Sequence, residues 1–130
     1  MVTRQDFLVF QGASWQYSFV FTDDIGDPVD LTGYSARMIV SRSFDQTSVL
    51  RLASDDGEIQ LGADGVVTLS LSPEQTGSFS QVYLPTIMME KPEVTDRRIV
   101  YIYDIYFTAP DGSVRRVLQG RFILHRKVPD

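Results

Sequence analysis

The most regular feature of the sequence is a short-range alternation of apolar and polar residues. It is clearest from Ser14 to Thr22, where every apolar position on one side is aromatic: Trp15, Tyr17, Phe19 and Phe21. A period of two is typical of a β-strand that buries one face. We therefore predict a long strand here, with its aromatic side in the core.

The same alternation predicts further strands along the chain. These are Tyr34 to Ser41, Val49 to Ala53, Glu58 to Leu61 and Val66 to Leu71. Glycine-bearing turns at 54–57 and 62–65 separate the last three of them. Short strands joined in this way indicate a meander of hairpins.

The last third of the chain is the most apolar. Ile99 to Thr108 predicts a central strand covered on both faces, and Asp104 within it predicts a pairing with a nearby arginine. After the turn at 110–113, the return strand Val114 to Val128 is expected to bulge at Gly120. Its arginines are expected to line an exposed face or edge: Arg115, Arg116, Arg121 and Arg126.

One segment predicts a helix. Ser72 can cap free amides, Pro73 suits the first helical position, and Gln75 completes a capping box. Gly77 weakens the pattern at once, so the helix is expected to be short and to bridge one sheet to the other.

The stretch from Gly26 to Tyr34 predicts a corner at which the chain leaves one sheet and enters another. Turn residues surround its apolar pair, Val29 and Leu31, which we expect to close one end of the sandwich. Side-chain hydrogen bonds from Asp30 and Thr32 are expected to hold this corner.

Composition is that of a globular protein, with 43% hydrophobic and 22% charged residues, and 130 residues fit one domain (1–130). There is no cysteine, which excludes disulfides and thiolate metal sites. No apolar run approaches the roughly 20 residues that span a bilayer, and the start does not resemble a secretory signal. We expect a soluble protein made in a cytoplasm.

Charge is unevenly distributed along the chain. Residues 1–96 hold 5 Lys/Arg against 14 Asp/Glu, whereas residues 97–130 hold 7 against 3. The two parts could interleave and neutralise each other locally, or they could form an acidic and a basic face that favour head-to-tail packing of like subunits. The overall net charge of −5 disfavours binding to nucleic acid.

The segment from Val82 to Arg98 breaks the strand pattern with two prolines and adjacent methionines. Its apolar residues suit contact with a partner, although they could equally fold back as a lid on the core. The predicted partner-binding residues are Ile87, Met88, Met89, Arg97, Arg98, Arg115 and Arg116.

Side chains that could carry a reaction are few. His125 is the single histidine, so neither a zinc site nor a Ser-His-Asp arrangement is indicated. The acidic clusters 23–27 and 55–58 do not match the calcium-binding loop and are explained by turn chemistry. We expect no enzymatic activity, no metal and no cofactor. The aromatic stripe that includes Trp15 leaves a carbohydrate-binding platform as the alternative.

An ordered set of segments carries a resemblance to a known family. The segments are Gln11-Gly12, the corner Gly26 to Tyr34, Ala36-Arg37-Met38, Ser72-Pro73-Glu74-Gln75-Thr76, and Tyr103-Asp104-Ile105 ahead of Pro110-Asp111-Gly112. In this order they resemble small immunoglobulin-like proteins of tailed bacteriophages, similar to the N-terminal domain of baseplate upper proteins.

The resemblance implies an antiparallel immunoglobulin-like β-sandwich of seven to nine strands with one short helix. It also implies a structural component of the virion, in the tail, baseplate or neck, made in the host cytoplasm and assembled as a homo-oligomer with other virion proteins. The absence of a fibre domain favours an adaptor or connector. The alternative is a carbohydrate-binding sandwich that recognises a host surface.

Overall fold

The computed structural model of the chain describes residues 3–42, 48–81 and 98–126. Within these ranges the chain forms nine strands and one α-helix, with 3₁₀ turns at Ser54–Asp56 and Ser78–Gln81. The elements are β1 (Thr3–Arg4), β2 (Phe7–Phe10), β3 (Trp15–Val20), β4 (Ser35–Ser41), β5 (Ser48–Ala53), β6 (Ile59–Leu61), β7 (Val66–Leu71), α1 (Pro73–Gly77), β8 (Arg98–Thr108) and β9 (Val114–His125).

These strands form two sheets that enclose one core. The large sheet has the order β1, β9, β8, β4, β5, with β2 also paired to β9, and the small sheet has the order β3, β7, β6. In the lettering of immunoglobulin domains, the small sheet corresponds to strands B, E and D, and β9, β8, β4 and β5 correspond to G, F, C and C′. The predicted immunoglobulin-like sandwich with one short helix is confirmed.

The N-terminal strands are an exception to the predicted antiparallel pairing. Both β1 and β2 run parallel to β9, with Thr3 opposite Leu118 and Phe7 opposite Phe122. All other described strand pairs are antiparallel. Because no hairpin connects the two ends of the chain, no local turn signal dictates their relative direction.

The predicted meander is wrong at its first turn. β5 belongs to the large sheet and β6 to the small one, so of these three strands only β6 and β7 pair as a hairpin. The turn before β6 crosses between the sheets, with Gly57 at φ +80° and the Ser54 hydroxyl accepting from the Ala36 amide at 2.9 Å. Leu52 and Ile59, on either side of this turn, are both buried in the shared core.

The bulge in β9 lies at Val117 and not at Gly120, as was predicted. Ile105 pairs with Leu118, whereas Tyr106 pairs with Arg116, so Val117 is the extra residue. Gly120 keeps a regular pairing with Tyr103. Consecutive residues Val117 and Leu118 are consequently both buried.

The central strand β8 is covered on one face only, which corrects the prediction of burial on both. Tyr101, Tyr103, Ile105 and Phe107 point into the core, but Val100 on the other face is 44% exposed. The small sheet covers just the inner side of the large sheet. The outer side of β8 therefore places apolar residues at the surface.

Aromatic rings connect the two sheets in place of the disulfide of antibody domains. The Phe7 ring lies 4.7 Å from Tyr17 of the small sheet and 4.6 Å from Tyr103 of the large sheet, centroid to centroid. Trp15 packs 5.0 Å from the same ring. The predicted packing of the aromatic stripe against the core is confirmed.

The corner between β3 and β4 forms as predicted. Leu31 is buried and Val29 half-buried, and the Asp30 carboxylate accepts from the Thr32 amide at 2.9 Å and from its hydroxyl at 2.6 Å. Gly33 follows at φ +84°. The chain leaves the small sheet before this corner and enters the large sheet after it.

Two turns of this kind, in which an aspartate carboxylate accepts hydrogen bonds, make the stability of the fold depend on pH in the acidic range. The Thr32 hydroxyl and amide lower the pKa of Asp30 below its ordinary 3.8, and the Ser113 amide and hydroxyl lower the pKa of Asp111 in the same way. A carboxyl with a lowered folded-state pKa stabilises above its unfolded pKa and loses that contribution as pH falls through the folded value.

We therefore expect the Asp30→Asn/Asp111→Asn variant to lose less stability than the parent chain as the pH falls below about 4. Urea midpoints measured across this range check the prediction. Asp24→Asn, in which the changed carboxylate takes no part in either turn, is the control and should keep the parent's slope. Equal slopes for all three proteins would contradict it.

The helix begins with the predicted capping box. The Ser72 hydroxyl accepts from the Gln75 amide at 3.1 Å, and the Gln75 side-chain oxygen accepts from the Ser72 amide at 2.8 Å. Thr76, which is fully buried, accepts from the Gly12 amide at 3.0 Å and donates to the Ala13 carbonyl at 2.9 Å. The helix thus anchors the turn between β2 and β3.

Thr76→Val should lower the free energy of unfolding by about 1–3 kcal/mol, because it removes the two hydrogen bonds that the fully buried Thr76 hydroxyl makes with the Gly12 amide and the Ala13 carbonyl. Thr76→Ser keeps the hydroxyl and should lose clearly less. Urea unfolding compares the two. If the valine variant were as stable as the serine variant, these hydrogen bonds would contribute nothing to the free energy of unfolding.

Candidate interaction surface

The outer face of the large sheet carries arginines along three strands. Arg37, Tyr106 and Arg116 lie side by side on β4, β8 and β9. The Arg37 guanidinium stands 4.9 Å from the centre of the Tyr106 ring, and Arg116 pairs with Asp104 at 3.5 Å. The predicted pairing of Asp104 with an arginine is confirmed.

The structure separates two of the predicted partner-binding arginines. Arg116 is exposed on the outer face, but Arg115 lies opposite the inward-facing Phe107 and lines a cleft at the side of the sandwich. Arg98 is exposed at the first position of β8. The other predicted contact residues, Ile87, Met88, Met89 and Arg97, lie outside the described residues.

Next to these arginines is a group of apolar side chains that we call the apolar patch: Leu8, Phe10, Val100 and Ile123. Leu8, Ile123 and Val100 lie directly opposite one another across β2, β9 and β8. Leu8 is 50%, Phe10 53% and Val100 44% exposed. These three large hydrophobic residues form one continuous surface and are not scattered singly.

Arginines lie on both sides of the row Leu8, Ile123 and Val100 along the strands. Arg98 lies in the row of Phe10 and His125, and Arg121 lies in the row on the other side of Ile123. Arg121 is paired with Asp6 at 3.6 Å but its side chain remains half-exposed. His125 contacts the Phe10 ring at 5.3 Å between centroids.

Sequence reasoning missed Leu8 and Phe10 as surface residues. Both belong to the run DFLVFQ, in which Phe7 and Val9 face the core. A strand that is apolar at every position and lies at the edge of a sheet must expose one apolar face. That uninterrupted run was the available signal, since half-buried edge strands ordinarily alternate with polar residues.

The end of the sandwich away from the apolar patch is acidic. The loops 21–34, 62–65 and 109–113 meet there: the Phe21 amide donates to the Gly65 carbonyl at 2.8 Å, and a β-carbon at Gly33 would lie 3.0 Å from Pro110 Cγ. These loops contain no Lys or Arg and six aspartates, namely Asp23, Asp24, Asp27, Asp30, Asp64 and Asp111. The described residues show elements of both predicted charge arrangements, because these loops form an acidic end while Arg121 pairs with Asp6 and Arg115 shares a cleft with Asp23 and Asp24.

A cleft of about 440 Å³ opens where β3 forms the edge of the small sheet, beside β1 and β9 of the large one. Tyr17, Phe19 and Phe21 line it, together with Arg115 and polar residues of the acidic loops. Its volume falls within the range of small-molecule sites. Trp15 of the same aromatic stripe packs against Phe7 and does not line the cleft.

Within residues 3–42, 48–81 and 98–126, no three acidic or histidine side chains come together as metal ligands would. None of the helices in that part of the chain is long and apolar enough to cross a bilayer.

Comparison with known proteins finds a distant structural likeness. No family model matches the chain, and no curated protein does. Among solved structures, one titled "Structure or murine CRIg" is similar with a TM-score of 0.40 and 13% identity, over 95% of this chain and 92% of that one. A similarity at this level bears on neither activity nor partner.

Proposed function

We propose that the chain is a non-enzymatic structural component of a tailed-phage virion and assembles through the outer face of its large sheet. The single observation that supports this most is the apolar patch flanked by Arg98 and Arg121. The resemblance to immunoglobulin-like phage proteins adds the context of a tail, baseplate or neck, where an adaptor or connector would bind other virion proteins.

Physical chemistry supports an interface at this face. Soluble monomers rarely expose contiguous apolar patches larger than roughly a few hundred Å², and large patches rimmed by polar residues mark protein–protein contacts. Arginine and aromatic residues are enriched in such contacts, and the outer face holds both. The edge strand β2 also presents Leu8 and Phe10 where edges that avoid association carry charge or proline.

The proposal is tested on particles produced from the genome that encodes this chain. Mass spectrometry of purified virions should detect the chain at a fixed ratio to the major tail or capsid protein, and gold-labelled antibody should mark the tail, baseplate or neck. A chain that is abundant in the infected cell and missing from purified virions would overturn the proposal.

The cleft beside β3 supports a second candidate, a carbohydrate-binding sandwich. Phe19 and Phe21 offer apolar ring surface there, and Asp23, Asp24 and Arg115 offer polar groups for sugar hydroxyls. On this alternative, oligosaccharides should shift amide resonances of the cleft residues, and Phe19→Ser should abolish the shifts. Unchanged spectra across an oligosaccharide panel would remove this candidate.

A further inference from the structure

The acidic end of the sandwich presents an exposed isoleucine at its tip. Ile25 is 82% exposed, the highest value among the large hydrophobic residues of the described ranges. Asp23, Asp24 and Asp27 surround it in the sequence, and all three are exposed. An apolar side chain is therefore exposed in a turn that also carries three exposed aspartates.

Hydrogen bonds fix the backbone that carries Ile25. The Asp23 carboxylate accepts from the Ile25 amide at 3.1 Å and from the Asp27 amide at 2.9 Å. The Gly26 amide donates to the Asp23 carbonyl at 3.1 Å, and Gly26 adopts φ +92°. A turn ordered in this way loses little conformational entropy on binding, which is the condition for a preorganised contact.

The apolar patch has the complementary character. Its row Leu8, Ile123 and Val100 lies between the rows of Arg98 and Arg121, so apolar surface could meet Ile25 while guanidinium groups meet aspartates. The two surfaces cannot meet within one molecule. They lie at opposite ends of β8, whose 11 residues extend over roughly 33 Å.

We propose that Ile25, with Asp24 and Asp27 beside it, docks onto the apolar patch of a second copy of this chain. The proposal rests on the proposed function, because it names the partner of the same outer face. Each copy uses a different surface at its two ends, so the contact is heterologous and propagates into a ring or an open filament.

Two charge-reversal variants test the contact on the full chain. Asp24→Lys makes the acidic tip positive, and Arg98→Glu makes the patch rim negative, so each protein alone should sediment as a monomer where the parent chain associates. Mixed in equal amounts, the two should associate again, because every contact between unlike copies then pairs opposite charges. A folding defect in either variant would not be rescued by mixing.

Ile25→Ser provides a test that does not depend on charge. Loss of a central apolar anchor should weaken self-association about tenfold or more. Val20→Ser is the matched control, since Val20 is 50% exposed on the small sheet, where it lines the cleft and belongs to neither surface of this contact. It should associate like the parent chain.

The inference is overturned if Asp24→Lys and Ile25→Ser associate like the parent chain, or if the two charge variants remain monomeric when mixed. Should Val100→Ser alone disrupt association, the apolar patch binds something other than the acidic tip. In that case this inference fails while the proposed role of the outer face stands.

Discussion

Phe7→Ala is expected to lower the free energy of unfolding by about 3–5 kcal/mol. The Phe7 ring is buried between Tyr17 of the small sheet and Tyr103 of the large one, and it also contacts Trp15. Its removal leaves a cavity at the point where the two sheets are joined by ring contacts. Urea unfolding followed by Trp15 fluorescence measures the effect.

Leu8→Ala is the matched control because Leu8 neighbours Phe7 on β2 but points outward and is 50% exposed. Measured at a low protein concentration, it should change the free energy of unfolding by less than about 1 kcal/mol. If both substitutions had the same effect, burial of the Phe7 ring would not be what stabilises β2, and the assignment of the inner and outer faces of β2 would be wrong.

Gly120→Ala is the second large expected effect, a loss of about 2–3 kcal/mol. A β-carbon at this position would collide with the backbone carbonyl of Gln5, since the Gln5 carbonyl carbon would be only 2.8 Å away. That carbonyl accepts the Tyr103 hydroxyl, and burial raises the pKa of Tyr103, which keeps the phenol a donor at high pH. Alanine must therefore push the N-terminal strands off β9.

Hydrogen exchange locates this displacement. The Gln5 amide donates to the Gln119 carbonyl at 2.8 Å, and it should exchange much faster in Gly120→Ala than in the parent chain. Gly77→Ala is the control, because a β-carbon there has no heavy atom within 4 Å. Unchanged protection of Gln5 in Gly120→Ala would contradict the close approach of the two strands.

Features that depend on neighbouring residues could be predicted from the sequence. The alternation in β3, β4 and β7 indicated which side chains face the core, since each strand carries its own period. The capping box before α1 and the Asp30–Thr32 corner depend on side chains that reach two or three residues along the chain. Such local rules do not require knowledge of the fold.

Features that depend on distant contacts could not be predicted in this way. β5 and β6 have the pattern of a hairpin, and nothing in either segment indicates that they belong to different sheets. Gly120 was predicted to form a bulge. Glycine within a strand occurs at bulges, but it also occurs where another backbone approaches closely. The neighbour that decides between these is Gln5, more than one hundred residues away in sequence.

The candidate interface shows the same limit. Arg115 and Arg116 were both predicted to bind a partner, but adjacent strand residues point to opposite sides, and the bulge that follows them fixes which is outward. Leu8 and Phe10 became visible as surface only when β2 was placed at the edge of the large sheet. Ile25 lies in a turn that its neighbouring aspartates are sufficient to explain, so the turn pattern required no role for the apolar side chain.

The most direct test of the proposed assembly surface is sedimentation velocity of the parent chain and Val100→Ser over a series of protein concentrations. Val100 belongs to the apolar patch on the outer face, and Val20→Ser controls for loss of a similarly exposed valine on the small sheet. We expect the sedimentation coefficient to rise with concentration for the parent chain and for Val20→Ser and to stay constant for Val100→Ser. Superimposable curves for all three proteins would contradict it.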